Sequence, residues 1–138
     1  MSFLLQPSLA LPGYPGGEAA EPVAEVAVHG RWSRRLGLDV SAMVRDRLSR
    51  RPAAVIIDLY GLIDEDAASL PLWLAVRRAA AAVRPPIHVA LCLPTTAALD
   101  RRLRRIGARR LPMFATMAQA RAAMTDRACA VPGERGRV

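Results

Sequence analysis

Two long apolar segments, separated by a helical pattern, constrain the fold of this chain most strongly. Residues 53–61, "AAVIIDLYG", are apolar until Asp58, and residues 87–94, "IHVALCLP", are apolar almost throughout. Continuous apolar runs are typical of strands in parallel sheets, because helices cover both faces of such a sheet. Between the two segments, "LPLWLAVRRAAAAVR" has the Ala and Leu content of a helix, which Pro85 must end. A strand, a helix and a further strand in this order predict parallel pairing with the helix packed on the sheet.

The rest of the chain continues this alternation. Residues 23–30, "VAEVAVHG", predict a short strand, and Leu36, Val40, Val44 and Leu48 recur at every fourth residue, as on the buried face of an amphipathic helix. A further helix follows, with Thr95 or Thr96 as its expected N-cap and Gly107 as its expected C-cap. Its inner face is expected to consist of Leu99, Leu103 and Ile106. A short strand at "LPMFAT" and a last helix at "MAQARAAM" complete the order. We therefore expect an α/β fold with a mixed, mostly parallel central sheet of four to five strands and about four helices.

One domain accounts for the length of 138 residues. We assign it to residues 1–125. Its Pro- and Gly-rich start, residues 1–22, is expected to be loosely structured or to form a first strand followed by a loop. Residues 126–138 show no hydrophobic period and are expected to be a disordered tail.

The charge and cysteine content exclude several classes of protein. No apolar run approaches the length of a membrane span, and the first residues lack the basic segment of a signal peptide, so we expect a cytoplasmic protein without a membrane partner. Cys92 lies in an apolar run and is expected to be a core residue, while Cys129 lies near the end of the chain. The net charge is +8, and all 20 basic residues are Arg. Because these arginines are scattered, we attribute them to a compositional bias rather than to nucleic-acid binding.

The residues that carry catalysis do not cluster in this sequence. His29 and His88 lie in apolar strands, where a histidine is more often structural than catalytic. The glycine-rich phosphate loops and the nucleophile motif GxSxG are absent, and Asp64, Glu65 and Asp66 lack the further ligands of a calcium loop. We therefore expect no enzyme activity, no cofactor and no metal site.

One basic cluster does stand out, "DRRLRRIGARR" at residues 100–110. Binding of nucleic acid would call for stacking or base-reading groups beside the arginines, and no aromatic residue is interleaved with them. A solvated helix face is the favoured interpretation, and an acidic protein partner would also suit the cluster.

The junction between the strand at residues 54–58 and the following helix resembles the signature of the STAS domain family, the anti-sigma-factor antagonists and their relatives. That signature runs strand, Asp-Leu-Ser-Gly, apolar residues, Asp-Ser-Ser-Gly and an apolar helix. Asp58, Leu59 and Gly61 match its first part, and Asp66 matches the Asp of the second. The order and spacing of the elements extend the similarity over roughly residues 22–125.

The resemblance implies a regulatory protein that binds a partner rather than an enzyme. Family members bind an anti-sigma factor with a kinase fold, or a similar serine-kinase-like regulator, and phosphorylation of a Ser or Thr at the helix N-terminus ends the binding. A phosphate adds negative charge at a packed contact, which opposes docking. The sequence leaves homodimerisation open.

The chain departs from this pattern at the phosphorylated position. Aligned without gaps, Ala67 and Ala68 replace the two serines, and the acceptor position falls on Ala68, which has no hydroxyl. Ser69 replaces the glycine, and Ser33 stands where the early loop often carries Asp. The switch is lost, or Ser69 is a displaced acceptor, or Asp64 and Glu65 mimic the phosphorylated form; we favour loss of the switch.

The partner surface is expected at the helix N-terminus, with Pro71 in its first turn and Asp66 or Ser69 as N-cap. Trp32 is either an interface anchor or a core residue under the first helix. Alternative functions are a basic nucleic-acid-associated protein and a nucleotide- or anion-binding domain at the same helix N-terminus. The residues predicted to bind the partner are Trp32, Ser33, Asp64, Glu65, Asp66, Ala67, Ala68, Ser69 and Leu72.

Overall fold

Strands and helices alternate along the whole described part of the chain in the computed structural model, which describes residues 22–107 and 111–129. In chain order the elements are β1 (Val23–Arg31), α1 (Arg34–Ser49), β2 (Ala54–Ile63), α2 (Leu70–Ala82), β3 (His88–Cys92), α3 (Ala98–Ile106), β4 (Met113–Phe114) and α4 (Met117–Cys129).

The described strands form one parallel sheet in the order β1-β2-β3-β4. Val23 of β1 pairs with Ala54 of β2, which pairs in turn with His88 of β3. The predicted α/β class is therefore confirmed, and the pairing among the described strands is parallel throughout. The candidate first strand within residues 1–22 lies, apart from Pro22, outside the described residues.

The two faces of the sheet are covered differently. Helices α1, α2 and α3 pack on one face and α4 packs on the other. Right-handed crossovers between neighbouring parallel strands place every connecting helix on the same side, whereas α4 follows the last strand and is free to return across the other face. Because β2 lies between both layers, Val55, Ile56 and Ile57 are all fully buried, which explains the unbroken apolar run in the sequence.

Several local expectations are confirmed and others are corrected. Gly107 ends α3 in the left-handed conformation, with φ of 69°, and Pro71 lies in the first turn of α2, where its missing N–H leaves no donor unpaired. The predicted N-cap at Thr95 or Thr96 is wrong, because Ala97 occupies that position without a side-chain hydrogen bond.

The last helix also ends later than predicted, so the predicted start of the tail at residue 126 is wrong. Helix α4 continues to Cys129, so residues 126–129 are helical rather than disordered, and residues 130–138 lie outside the described part of the chain. Met124 is the last fully buried residue of α4. Once a helix is anchored in this way, each added residue gains a backbone hydrogen bond at little cost, so the helix extends without further apolar residues.

Among the helices within residues 22–107 and 111–129, none combines the length and the apolar composition that a membrane span requires.

Candidate functional site

The loops that follow β1 and β2 meet at one edge of the sheet. Parallel strands place their carboxyl ends at the same edge, where ligands and partners commonly bind in α/β folds. The backbone N–H of Trp32 donates to the carbonyl of Ile63 at 2.8 Å, and the exposed side chains of Arg31 and Glu65 form an ion pair at 3.6 Å. The structure therefore brings together the two segments predicted to bind a partner, residues 32–33 and 64–69.

Asp64 organises the turn between β2 and α2. Its carboxylate accepts the backbone N–H groups of Ala68 and Ser69, each at 2.9 Å, and also the hydroxyl of Ser69. Backbone donors before the first turn of a helix have no partner within the helix, so a carboxylate here both satisfies them and suits the helix dipole. The negative charge of Asp64 is thus used within the turn.

The predicted N-caps have other roles. Ser69 does occupy the N-cap position of α2, but its side chain makes no capping hydrogen bond to that helix, and Asp66 is exposed to solvent. Sequence reasoning missed that a residue five positions earlier supplies the acceptor.

The hydroxyl of Ser69 lies in the interior. Ser69 is 0% exposed, and its Oγ accepts the indole N–H of Trp73 at 2.8 Å while donating to Asp64. Residues four apart on a helix face each other, and a buried indole N–H needs an acceptor. Ser69 therefore joins the acidic turn to Trp73, which is itself fully buried.

The two candidate phospho-acceptor positions differ in what they lack. Ala68 is exposed but carries no hydroxyl, whereas Ser69 carries a hydroxyl that is buried and hydrogen-bonded on both sides. A kinase could reach Ser69 only after the start of α2 had opened. The folded geometry thus opposes the hypothesis that Ser69 is a displaced acceptor.

Ala67 has an unusual backbone conformation. It is 3% exposed and has φ of 55°, in the left-handed region that non-glycine residues adopt at a cost of about 1–2 kcal/mol. Its N–H donates to the carbonyl of Asp64 at 3.1 Å, and its own carbonyl accepts from Leu70 at 3.2 Å. These bonds and the Asp64 carboxylate hold the turn in one shape, with Glu65 and Asp66 exposed at its tip.

Trp32 and Ser33 have mainly structural contacts. Ser33 caps α1, since its Oγ accepts the backbone N–H of Leu36 at 3.1 Å. Trp32 is half-buried, with its ring centre 6.3 Å from that of Trp73, and a Cβ on Gly37 would lie only 3.1 Å from its ring. Trp32 therefore packs under the first helix, as the second of its two interpretations proposed, while part of it reaches the surface.

Leu72 is also half-buried and packs against the core. The exposed members of the predicted surface are Ser33, Glu65, Asp66 and Ala68.

A groove beside the acidic turn contains residues that were not assigned to the site from the sequence. Its volume is about 290 Å³, and Arg101, Arg102 and Arg105 of α3 line it together with Glu65, Asp66, Ala67 and Ala98. The arginine pattern was visible in the sequence as a basic helix face. No local pattern indicates that this face lies beside the turn after β2, because that depends on how α3 packs on the sheet.

Two further reactive side chains are His29, which lies beside Gly61 of β2, and Cys92 of β3. Among the described residues, no group of His, Cys, Asp or Glu is arranged to hold a metal ion. Cys92 is buried under α4, as expected of a core residue, and this burial, with a smaller effect from Asp58, raises the pKa of its thiol. Such a thiol stays protonated and unreactive in the folded protein at neutral pH.

No protein-family model matches this sequence, and no curated protein matches it.

Proposed function

We propose that this chain is a non-enzymatic regulatory interaction domain that works as anti-sigma-factor antagonists do. It binds a kinase-fold anti-sigma factor, or a similar serine-kinase-like regulator, through the edge formed by residues 32–33 and 64–69. A serine switch does not control this binding. Such a role places the protein in the cytoplasm, with the transcription machinery.

The observation that carries this proposal concerns residues 68 and 69: the exposed residue has no hydroxyl, and the residue with a hydroxyl is buried. The position aligned with the family's acceptor, Ala68, is on the surface where a kinase would act, but it cannot be phosphorylated. The neighbouring hydroxyl of Ser69 is committed to Asp64 and Trp73. The turn at residues 64–69 therefore retains an accessible surface without an exposed hydroxyl.

The shape of the edge also supports a docking role. The turn is fixed by hydrogen bonds to Asp64, so a partner meets a preorganised surface and little conformational entropy is lost on binding. Glu65 and Asp66 are held outward on that turn, where charged side chains contribute to the choice of partner.

The proposal is tested by incubating the protein with a kinase-fold regulator from the same organism, with and without ATP. We expect a complex whose dissociation constant does not change with ATP, and no phosphate on the protein by mass spectrometry. The informative variant is Ala68→Ser, which places a hydroxyl at the exposed position. We expect this variant to be phosphorylated and to dissociate when ATP is added, because the added charge opposes docking.

Ser69→Ala is the matched control, since it removes the hydroxyl from the buried position. Phosphorylation of the wild-type protein at Ser69 would contradict the loss of the switch. Absence of any complex with such regulators would contradict the proposed function itself.

A further inference from the structure

We propose that the groove between the turn at residues 64–69 and helix α3 selects the protein partner, and that it takes a partner segment with acidic and basic side chains side by side. The proposal rests on the proposed function, which it deepens by naming the chemistry of the partner. We call this site the two-signed groove, lined on one side by Glu65 and Asp66 and on the other by Arg101, Arg102 and Arg105.

The basic side of the groove is built on a regular helix. Leu99 and Leu103 anchor α3 in the core, being 2% and 0% exposed, so the exposed arginines of the helix are held on the opposite side. The guanidinium of Arg101 donates to the carbonyl of Thr96 at 2.7 Å. Arg102 and Arg105 form no ion pair within the described residues and are available to a carboxylate from outside.

The acidic side of the groove is built on the fixed turn. Glu65 and Asp66 lie between Asp64, whose carboxylate holds the turn, and Ala67, whose backbone is in the left-handed region. Glu65 forms an ion pair with Arg31, but at 3.6 Å and with both side chains exposed, solvent and salt screen this pair and it holds Glu65 only weakly. The carboxylate of Asp66 forms no ion pair in the described part of the chain, so this side can accept a basic group from a partner.

The opposite charges do not neutralise each other across the groove. Salt bridges between the two sides are absent among residues 22–107 and 111–129, although both sides line the same cavity of about 290 Å³. A ligand in the groove must therefore present a carboxylate toward α3 and a cation toward the turn. A protein segment with adjacent acidic and basic residues meets both requirements, and bidentate pairing between arginine and carboxylate adds geometric specificity.

The same charges argue against nucleic acid as the occupant. A nucleic-acid backbone presents negative charge along its whole length, and its affinity arises from neutralising phosphates with arginine or lysine. Glu65 and Asp66 would face those phosphates and repel them. A protein partner is therefore favoured, and DNA binding becomes an outcome of the test.

The first experiment is a titration of the ¹⁵N-labelled protein with short alanine-based helical peptides, followed by NMR. One peptide carries Glu along one edge and Lys along the neighbouring edge, and a second peptide carries Glu on both edges. We expect the mixed peptide to shift amide signals of residues 65–68 and 98–105 and to bind at least about tenfold more tightly than the acidic peptide. The double variant Arg102→Glu/Arg105→Glu should abolish these shifts.

Arg45→Glu/Arg127→Glu is the matched control, because it changes the net charge equally at exposed positions on α1 and α4 that do not line the groove. Failure of the mixed peptide to shift these signals would overturn the proposal. Equal or tighter binding of the acidic peptide, or of duplex DNA in the same assay, would also overturn it.

The second experiment uses the full complex with the kinase-fold regulator. We expect Arg102→Glu/Arg105→Glu to weaken the complex at least about tenfold more than the control double variant does. Equal weakening by both double variants would mean that the groove does not select the partner while the proposed function stands. If no such regulator binds the wild-type protein, the proposed function fails, and the peptide titration alone decides the role of the groove.

Discussion

The junctions that lead from β2 into α2 and from β3 into α3 lie at the same edge of the sheet but are built differently. At the first junction, Asp64 accepts two backbone N–H groups and the hydroxyl of Ser69, which in turn accepts the N–H of Trp73. At the second junction, Ala97 occupies the N-cap position and no side chain caps α3.

The difference separates a helix start whose backbone N–H groups are held by a polar side chain from one without a side-chain cap. Buried hydrogen bonds are costly when one member is lost, so the first junction keeps its shape only as a complete set. At the second junction, the N–H of Ala97 donates to the carbonyl of Pro94 at 3.1 Å, and the helix is held mainly by its apolar face. Each junction has one buried polar residue, but Asp100 pairs with Arg104 within α3, whereas Ser69 joins the turn before α2 to Trp73.

The largest expected effect comes from the first junction, where the same charge is placed at the buried residue 69 and, in a second variant, at the exposed residue 68. Ser69→Asp should destabilise the protein by about 4 kcal/mol, since it buries a second carboxylate beside Asp64 and removes the acceptor of Trp73. Ala68→Asp should change the stability by less than about 0.5 kcal/mol because residue 68 is exposed. Urea unfolding followed by tryptophan fluorescence measures both, and similar effects at the two positions would refute the assigned burial of Ser69.

The next test removes one acid from each junction. Asp64→Ala should cost about 2–3 kcal/mol, because several donors lose their acceptor together. Asp100→Ala, in the first turn of α3, should cost about 1.5 kcal/mol, because Asp100 is buried but makes one charge-assisted hydrogen bond, to Arg104. The ion-pair partner of Asp100, Arg104, lies 2.6 Å away and is 58% exposed, so water can solvate it after the change. A larger loss at Asp100 would show that the second junction also depends on its polar side chain.

The strained backbone of the first junction gives a smaller effect. Ala67→Gly removes a buried methyl group but relieves the left-handed conformation, so the loss should stay below about 1 kcal/mol. Ala80→Gly, at a buried position inside α2, should cost about 2 kcal/mol because it has no strain to relieve. Thermal and urea unfolding of the two variants compare them directly. A cost at Ala67 equal to that at Ala80 would mean that the turn is not strained.

The smallest expected effect concerns the second junction. Thr95→Ala/Thr96→Ala should leave the free energy of unfolding within about 0.5 kcal/mol of the wild type, because neither hydroxyl caps α3. A loss of about 1 kcal/mol or more in urea unfolding would show a side-chain cap at this junction and would remove the contrast with Asp64.

The elements that the sequence predicted well are those in which one simple pattern dominates. The apolar run around Val55–Ile57 and the four-residue repeat of Val40 and Val44 each correspond to one buried face or strand, and the structure confirms them. Where patterns compete, prediction failed: Ser69 has the chemistry of a cap, but its hydroxyl is drawn to Trp73 and Asp64 instead. Ile106, on the predicted inner face of α3, is 51% exposed at the last residue of that helix.

The two segments predicted to bind a partner lie together, whereas the contacts within them were not predicted. Residues 32–33 and 64–69 meet because parallel strands bring their following loops to one edge. The roles of Asp64 as acceptor and of α3 as the basic side of the groove depend on side-chain directions and on helix packing. These are not periodic features, and they carry no local signal that separates them from an ordinary acidic turn or an ordinary solvated helix.

The sequence by itself determined the α/β class, the order of strands and helices and the absence of a hydroxyl at residue 68, because these follow from hydrophobic period and residue identity. Only the tertiary structure decided that Ser69 is buried, that Asp64 holds the turn and that Glu65 and Asp66 line a groove with the arginines of α3. The physical reason is that burial and charge pairing arise from elements distant in sequence. The sequence pattern of a turn or a helix is the same whichever distant element packs against it, so that pattern does not reveal the contact.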